Sequence, residues 1–290
     1  MKGNGFSRRE FFLAMAAGIP AVVAGVESLG AAESGGEIPV GLELYSVRDD
    51  LKRDLEGTVR AVGKMGYQCA EFYAPYFEWT EEQTKHMRKV LDESGLKCYS
   101  THNSGKYFEK ENLTRARDLN LILGSRYMVM ASSEPKTTLA QWAQLAEVLN
   151  AAAEQLAPSG IQPGYHNHHV EFTPIEGRRP IEVLAEKTKP QVMLQLDVGT
   201  CIEAGSDPVA WIKANPGRIR SIHCKDWAPG ADKGYQVLFG EGVTDWKGIF
   251  QAAEHGGGVE FYLVEQEGSR FPAMETAEKC LAAFKKTYHS

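Results

Sequence analysis

Three of the chain's eight histidines crowd into Gly164-Tyr165-His166-Asn167-His168-His169. An apolar run bounded by proline and glycine leads into them. Side chains alternate along a strand, so an extended backbone would put His166 and His168 on one face and His169 on the other. Two imidazoles at one strand end make half of a metal site, and other segments must supply the rest. Later apolar runs end in suitable groups: Gln195-Leu196-Asp197, His223-Cys224-Lys225-Asp226 and Glu265-Gln266-Glu267. His166, Asp197, His223 and Glu265 thus offer one ligand from each of four successive strands. Adjacent strands lie about 4.8 Å apart, so their tips can converge on one ion. Imidazole and carboxylate donors without thiolate suit Mn²⁺, Co²⁺, Mg²⁺ or Zn²⁺. Singly, each residue has an ordinary explanation: a turn at Asp197, a core histidine at His223, a Glu265–Arg270 ion pair. Ordinary packing does not explain why all four fall at the same end of their runs.

Further polar groups share that end. Glu71 and His102 close the second and third runs and are candidates for binding substrate hydroxyls. Lys225 shares a strand face with His223 and could steady a developing oxyanion; an ion pair with Glu265 or Glu267 is the alternative. Glu265 is the candidate base, with His168 or Glu171 as its counterpart. Glu241, flanked by Gly240 and Gly242, could reach in as a lid residue or simply be a solvated carboxylate. Phe72, Tyr73, Trp227 and Trp246 could wall a small ligand, although packing is the commoner role for such rings.

The elements that must position these groups alternate. The pattern predicts a strand over Ile38–Tyr45 and a helix over Asp50–Met65. A strand at Tyr67–Phe72 precedes a helix at Thr80–Ser94, capped by Thr80 and stopped by Gly95. The remaining pairs are Leu96–Thr101 with Leu113–Leu123, Tyr127–Ala131 with Thr138–Leu156, and Ile161–His166 with Pro180–Lys187. Val192–Asp197 with Pro208–Asn215, Ile219–Lys225 with Asp245–Glu254, and Phe261–Glu265 with Pro272–Tyr288 complete the set. Eight strand–helix units with near-continuously apolar strands predict an α/β (β/α)₈ barrel, whose chemistry sits at the C-terminal strand ends. An open doubly wound sheet would show a glycine-rich turn after the first strand, and Leu44-Tyr45-Ser46-Val47-Arg48 is not one.

The N-terminus reads differently. Ser7-Arg8-Arg9-Glu10-Phe11-Phe12 is a twin-arginine pattern, followed by an apolar run and the small residues Gly30-Ala31-Ala32. Residues 1–32 are expected to be an export signal and 38–290 a single barrel domain, with periplasmic or other exported location. No stable membrane insertion is expected after cleavage. The net charge of −6 and the lack of a basic stripe argue against a nucleic-acid partner. Five cysteines without regular spacing read as small buried hydrophobes. An oligomer is compatible with the sequence.

These segments together resemble the xylose-isomerase-like TIM barrels, a superfamily of sugar and sugar-phosphate isomerases and epimerases that includes endonuclease IV. The marks are Gly41-Leu42-Glu43-Leu44-Tyr45-Ser46-Val47-Arg48, Gly164-Tyr165-His166-Asn167-His168, Leu196-Asp197-Val198-Gly199, His223-Cys224-Lys225-Asp226, Gly240-Glu241-Gly242 and Val264-Glu265-Gln266. The resemblance spans the whole mature chain. It implies one divalent ion and a small sugar or keto-sugar substrate. Family epimerases hold their metal with Glu, Asp, His and Glu on the last four strands, and the two glutamates act as opposed proton-transfer groups. Asp197, His223 and Glu265 match three of these positions. The first glutamate is absent; its place falls on His166, with His168 two residues on. The expected reaction is isomerisation or epimerisation by proton transfer beside a polarised carbonyl. A lyase or hydratase of 3-keto-glycosides or their unsaturated products is the alternative, and a non-catalytic sugar-binding barrel a third. Endonuclease activity is not expected, because that relative uses three zinc ions and a basic face.

Overall fold

The structure, a computed structural model, describes residues 37–230 and 233–290. The expected export signal lies outside the described residues. Among the described residues there are eight strands: β1 (Val40–Glu43), β2 (Cys69–Glu71), β3 (Ser100–Ser104), β4 (Tyr127–Ser132), β5 (Gln162–His166), β6 (Met193–Asp197), β7 (Ser221–Cys224) and β8 (Phe261–Val264). All pair in parallel, in the order β2-β1-β8-β7-β6-β5-β4-β3. The seam between β2 and β3 closes through single bridges, Cys69 to Lys97 and Phe72 to Thr101. The amide of Ala70 donates to Lys97 O at 2.8 Å, and that of His102 to Phe72 O at 2.8 Å. Helices fill the crossovers, so the chain is a (β/α)₈ barrel.

The period of two along each strand sorts the residues into two sets. Leu42, Ala70, Met128, Tyr165, Leu194, Leu196, Ile222, Tyr262 and Val264 join the large core shared with the helices. The alternate positions, Cys69, Tyr127, Val129, Met193, Phe261 and Leu263, form a separate small cluster inside the barrel. Following that second set toward the C-terminal ends gives Glu71, Gln195, Asp197 and Glu265. On the other strands the same rule gives Glu43, His102, His166, His223 and Lys225. The barrel interior is therefore apolar at one end and polar at the other. Gly41 lets β1 approach β2 closely, since a Cβ there would lie 2.5 Å from Cys69 O.

Local structure departs from expectation in three places that matter. The first predicted helix is two, Arg48–Arg53 and Leu55–Met65. Asp54 breaks it with an extended backbone and caps the second piece through Gly57 N, an N-cap preference outweighing helical periodicity. β3 begins at Ser100, because Leu96 to Cys98 cross the seam with one bridge only; His102 and Asn103 therefore lie within the strand. β5 ends at His166, and His168 becomes the N-cap of the short helix His169–Phe172. Strand alternation thus does not reach His168. Thr80 does cap its helix, reciprocally with Gln83. All five cysteines are free and buried. Among the described residues no helix is long and apolar enough to cross a membrane.

Candidate metal centre and active site

Gln195 on β6 organises the polar end of the barrel. Its amide nitrogen donates to Glu71 Oε2 at 3.0 Å and to Ser221 Oγ at 2.9 Å. Its oxygen therefore faces His102 Nε2 at 2.6 Å and His166 Nδ1 at 2.9 Å, and both rings must donate to it. The proton of His166 is thereby fixed on Nδ1, which leaves the Nε2 lone pair free. Nε2 lies 3.9 Å from Asp197 Oδ2. Burial, then the neighbouring His102 and His223, hold the His166 pKa well below its ordinary value, so the ring is neutral.

His223, fully buried, lies between two carboxylates. Nδ1 is 2.6 Å from Glu265 Oε2, and Nε2 is 2.9 Å from Glu71 Oε1. Burial opposes its charge, but the hydrogen bonds to Glu265 and Glu71 outweigh burial and hold the pKa at about 10. Burial likewise opposes ionisation of Glu71, yet His102 and His223 bring it down to about 2. Glu265 is drawn low against burial by Lys225 and His223. Lys225 Nζ lies 3.4 Å from Glu265 Oε1 and 3.7 Å from Asp197 Oδ2, and is bonded to Glu267.

Asp197 carries the clearest sign of an ion. Its amide is held by Asn167 Oδ1 at 3.0 Å, and its Oδ1 accepts from Thr200 N at 2.9 Å. Oδ2 is buried with no hydrogen-bond partner. Lys225 Nζ, at 3.7 Å, is beyond hydrogen-bond reach, so this buried oxygen keeps a lone pair that a closer cation could use. Burial, opposed by Lys225, raises the Asp197 pKa. Ligand atoms of His166, Asp197, His223 and Glu265 all lie within 4.8 Å of one another. Two ligands about 2.1 Å from one ion are at most about 4.2 Å apart, so a slight contraction would seat it. The donor set fits a divalent cation. Glu71 would then keep the second nitrogen of His223 as donor, an arrangement common behind metal-binding histidines. Two overlapping sets, His102/His166/His223 and Glu43/Glu71/His102/His223, meet the same distance limit, but neither contains Asp197.

A cavity of about 370 Å³ opens above this centre. Glu43, His102, His166, His168 and Glu265 line it, with Tyr45 and Tyr73 packed edge to face at 5.3 Å. His168 is exposed at the rim, its ring 5.1 Å from that of His166. Glu71 does not line the cavity. It lies wholly buried below, bonded to Ser100, Gln195 and His223, where it orients side chains and meets no hydroxyl of a ligand. Glu171 is also committed, accepting from Tyr165 Oη at 2.6 Å and His168 N at 2.7 Å. Glu241 is paired with Arg270 at 2.6 Å and accepts from Leu238 N, outside the cavity lining. Its loop is tied down by Asp226, which accepts from Gly240 N, Gly242 N, Thr244 Oγ1 and Trp246 Nε1. A Cβ on Gly242 would collide with that carboxylate. Phe72 and Trp246 belong to the core, while Tyr73 does face the cavity.

Two residues of the site went unread in the sequence. Gln195 was visible as the inward position two before Asp197. Glu43 was the acidic residue of the first strand, on the same side of the chain as Gly41. Glu43 is buried, and its Oε1 accepts from Tyr45 N at 3.2 Å. Burial, then Glu71 and Glu265, raise its pKa well above the ordinary value.

Fold and site together define a (β/α)₈ barrel with a His/Asp/His/Glu donor set at the C-terminal strand ends, beneath a polar cavity. The chain belongs to the xylose isomerase-like TIM barrel family, whose pattern matches residues 59–287. It is 28% identical over 207 residues to an inosose dehydratase of Geobacillus thermodenitrificans, covering 66% of this chain and 64% of that enzyme, less than two thirds of its length. The structure of a sugar phosphate isomerase/epimerase from Parabacteroides distasonis superposes with a TM-score of 0.73 at 26% identity, covering 90% of this chain and 98% of the other. The IOLI protein with a binding zinc atom shares the fold, with a TM-score of 0.65 at 18% identity over 85% of this chain and 98% of the other.

Proposed function

We propose that the protein is a divalent-metal-dependent lyase of keto-sugars or keto-polyols. It would remove a proton beside a carbonyl and release an oxygen substituent from the next carbon. His166 carries this reading. It stands where the epimerases of the family have their first glutamate, and its Nδ1 proton is committed to Gln195. A neutral ring so held offers a ligand nitrogen, not a second carboxylate base. Epimerisation needs a base on each face of the carbon; elimination needs one base and an exit for the leaving oxygen.

Glu265 is the base in this scheme. Lys225 and His223 keep it ionised, and it lines the cavity. It takes the proton, the C–H pair becomes the new double bond, and the C–O pair leaves on oxygen. That oxygen collects a proton and departs as water or an alcohol. His168, which lines the cavity at its rim, would deliver that proton. His166, Asp197, His223 and Glu265 would hold the ion, and Lys225 would sit beside the developing negative charge. When bound, the ion supplies Lewis acidity at the carbonyl oxygen.

Likeness to the inosose dehydratase supports loss of water. Isomerisation or epimerisation is the second reading, favoured by the longer match to the Parabacteroides distasonis protein. Export by the twin-arginine route belongs to the proposal on the strength of Ser7-Arg8-Arg9 alone. The test is incubation of metal-loaded protein with 3-keto-glycosides, inososes and free sugars in D₂O. Loss of one water by mass, with an enone absorbance, supports the lyase. Deuterium entering an otherwise intact sugar supports the second reading. No change in any candidate counts against both and leaves a binding barrel.

A further inference from the structure

One ring in the cavity has a nitrogen that neither the fold nor the proposed reaction uses. His102 stands on β3 and lines the cavity. Its inner nitrogen is engaged twice: Nε2 lies 2.6 Å from Gln195 Oε1 and 3.0 Å from Glu71 Oε1. Both of those oxygens accept, so the ring carries its proton on Nε2. The ring is also held in place. It stacks on His223 at 4.8 Å, nearly parallel, and meets His166 edge on at 4.5 Å. Burial, opposed by Glu71, lowers its pKa and keeps it neutral. Nδ1 is therefore a lone pair of fixed direction. Glu43 Oε1 stands 4.0 Å from it, beyond hydrogen-bond reach, and among the described residues no donor meets it. His102 keeps 9% of its surface open, where Glu71 behind it has none. A donor that enters the cavity would meet Nδ1.

We propose that His102 holds a hydroxyl of the substrate, its Nδ1 accepting the O–H, while Glu71 and Gln195 behind Nε2 keep that lone pair aimed into the cavity. A free hydroxyl is the matching chemistry, because it brings one proton to a neutral acceptor. An ether, phosphate or carboxylate oxygen brings none and would face the lone pair unanswered. The position thus selects a ligand whose hydroxyl is unsubstituted at the carbon beside His102. The inference rests on the reading of the cavity as a polyol site, and it does not require that the bound polyol react.

The test uses the full chain loaded with Zn²⁺ and titrated calorimetrically with two unreactive probes, myo-inositol and methyl β-glucoside. Two variants divide the ring between them. His102→Gln keeps a donor where Nε2 stood and loses the acceptor at Nδ1; His102→Asn keeps an acceptor near Nδ1 and loses the inner donor. Binding of at least one probe should weaken about threefold to tenfold in His102→Gln, the usual effect of losing one neutral hydrogen bond, and recover in His102→Asn. In wild type labelled with ¹⁵N-histidine, that probe should move the His102 Nδ1 resonance upfield and leave Nε2 in place, a readout that needs no substitution in the protein titrated. Equal probe affinity in wild type and His102→Gln would overturn the assignment, as would equal loss in both variants, an unmoved Nδ1 resonance or absence of probe binding by wild type. Zinc lost from either variant would make His102 a metal ligand and would also overturn it. Missing lyase turnover with intact, His102-dependent probe binding would defeat only the proposed reaction.

Discussion

Oε1 of Glu71 lies 2.9 Å from Nε2 of His223, at the bottom of the polar layer, and both side chains are closed to solvent. The pair fixes which nitrogen of His223 can face an ion. With Nε2 donating to Glu71, Nδ1 would be the nitrogen left to hold an ion. Glu71→Ala should weaken metal affinity by about 10- to 100-fold, as losses behind metal-binding histidines commonly do. Competition against a zinc indicator measures this. Unchanged affinity would mean that Glu71 serves the fold alone.

The same pair makes metal binding depend on pH. In the metal-free protein His223 stays protonated up to about 10, against an ordinary 6.5. That raised value contributes stability fully present below 6.5 and lost as pH rises through about 10. Glu71 has the opposite sign: its fall from 4.5 to about 2 contributes stability present above 4.5 and lost as pH drops toward 2. This site therefore stabilises the metal-free protein most between 4.5 and 6.5. An ion must displace the His223 proton, so affinity should climb by up to about tenfold per pH unit across the neutral range. Zinc titrations at several pH values test this, and a flat profile would contradict it.

Glu265 tests catalysis against mere binding. Glu265→Gln removes the proposed base while keeping its shape and one oxygen donor. Turnover should fall by about 10²- to 10⁴-fold, the usual range for a general base. The far-ultraviolet circular dichroism should be unchanged. Full retention of activity would remove Glu265 from the chemistry.

Asp226 bears on the loop and not on the reaction. One carboxylate holds two backbone amides, a threonine hydroxyl and the Trp246 indole at 3.0 Å. Asp226→Ala would strand the buried Trp246 indole N–H and take the acceptor from three partly buried donors, and should cost about 2 kcal/mol. Chemical denaturation reads the loss. Faster proteolysis within 233–245 would locate it, and an unaltered midpoint would show that the loop holds itself.

Removal of the ion should be felt beyond activity. Asp197 Oδ2 accepts no hydrogen bond within the protein, and its nearest cation, Lys225, stands 3.7 Å away. Chelation should therefore lower the melting temperature, and excess Zn²⁺ should restore it. Asp197→Asn, which gives up the charge, should melt at a temperature insensitive to chelator. Equal sensitivity in both proteins would place the ion elsewhere.

Much of this was legible in the chain. Short apolar runs alternating with amphipathic ones led to the barrel, because burial on both faces leaves a strand little freedom in composition. His166, Asp197, His223 and Glu265 stood out because each closes such a run at the same end. Ends were harder. Asp54 broke a helix that periodicity joined, and β5 stopped two residues short of His168. Local capping and turns override a repeating pattern there. The roles of Glu71, Gln195 and Glu241 were out of reach for another reason. A carboxylate or amide at a strand end looks the same in sequence whether it meets a ligand, a histidine or an arginine. What separates them is distance across the closed barrel: Glu71 meets His223 from 152 positions away, Gln195 meets His102 from 93, and Glu241 turns outward to Arg270. The sequence by itself determined which groups would gather at one end of the barrel. Only tertiary structure decided which of them touch, because contact between strands depends on register and closure, and neither is written in any single segment.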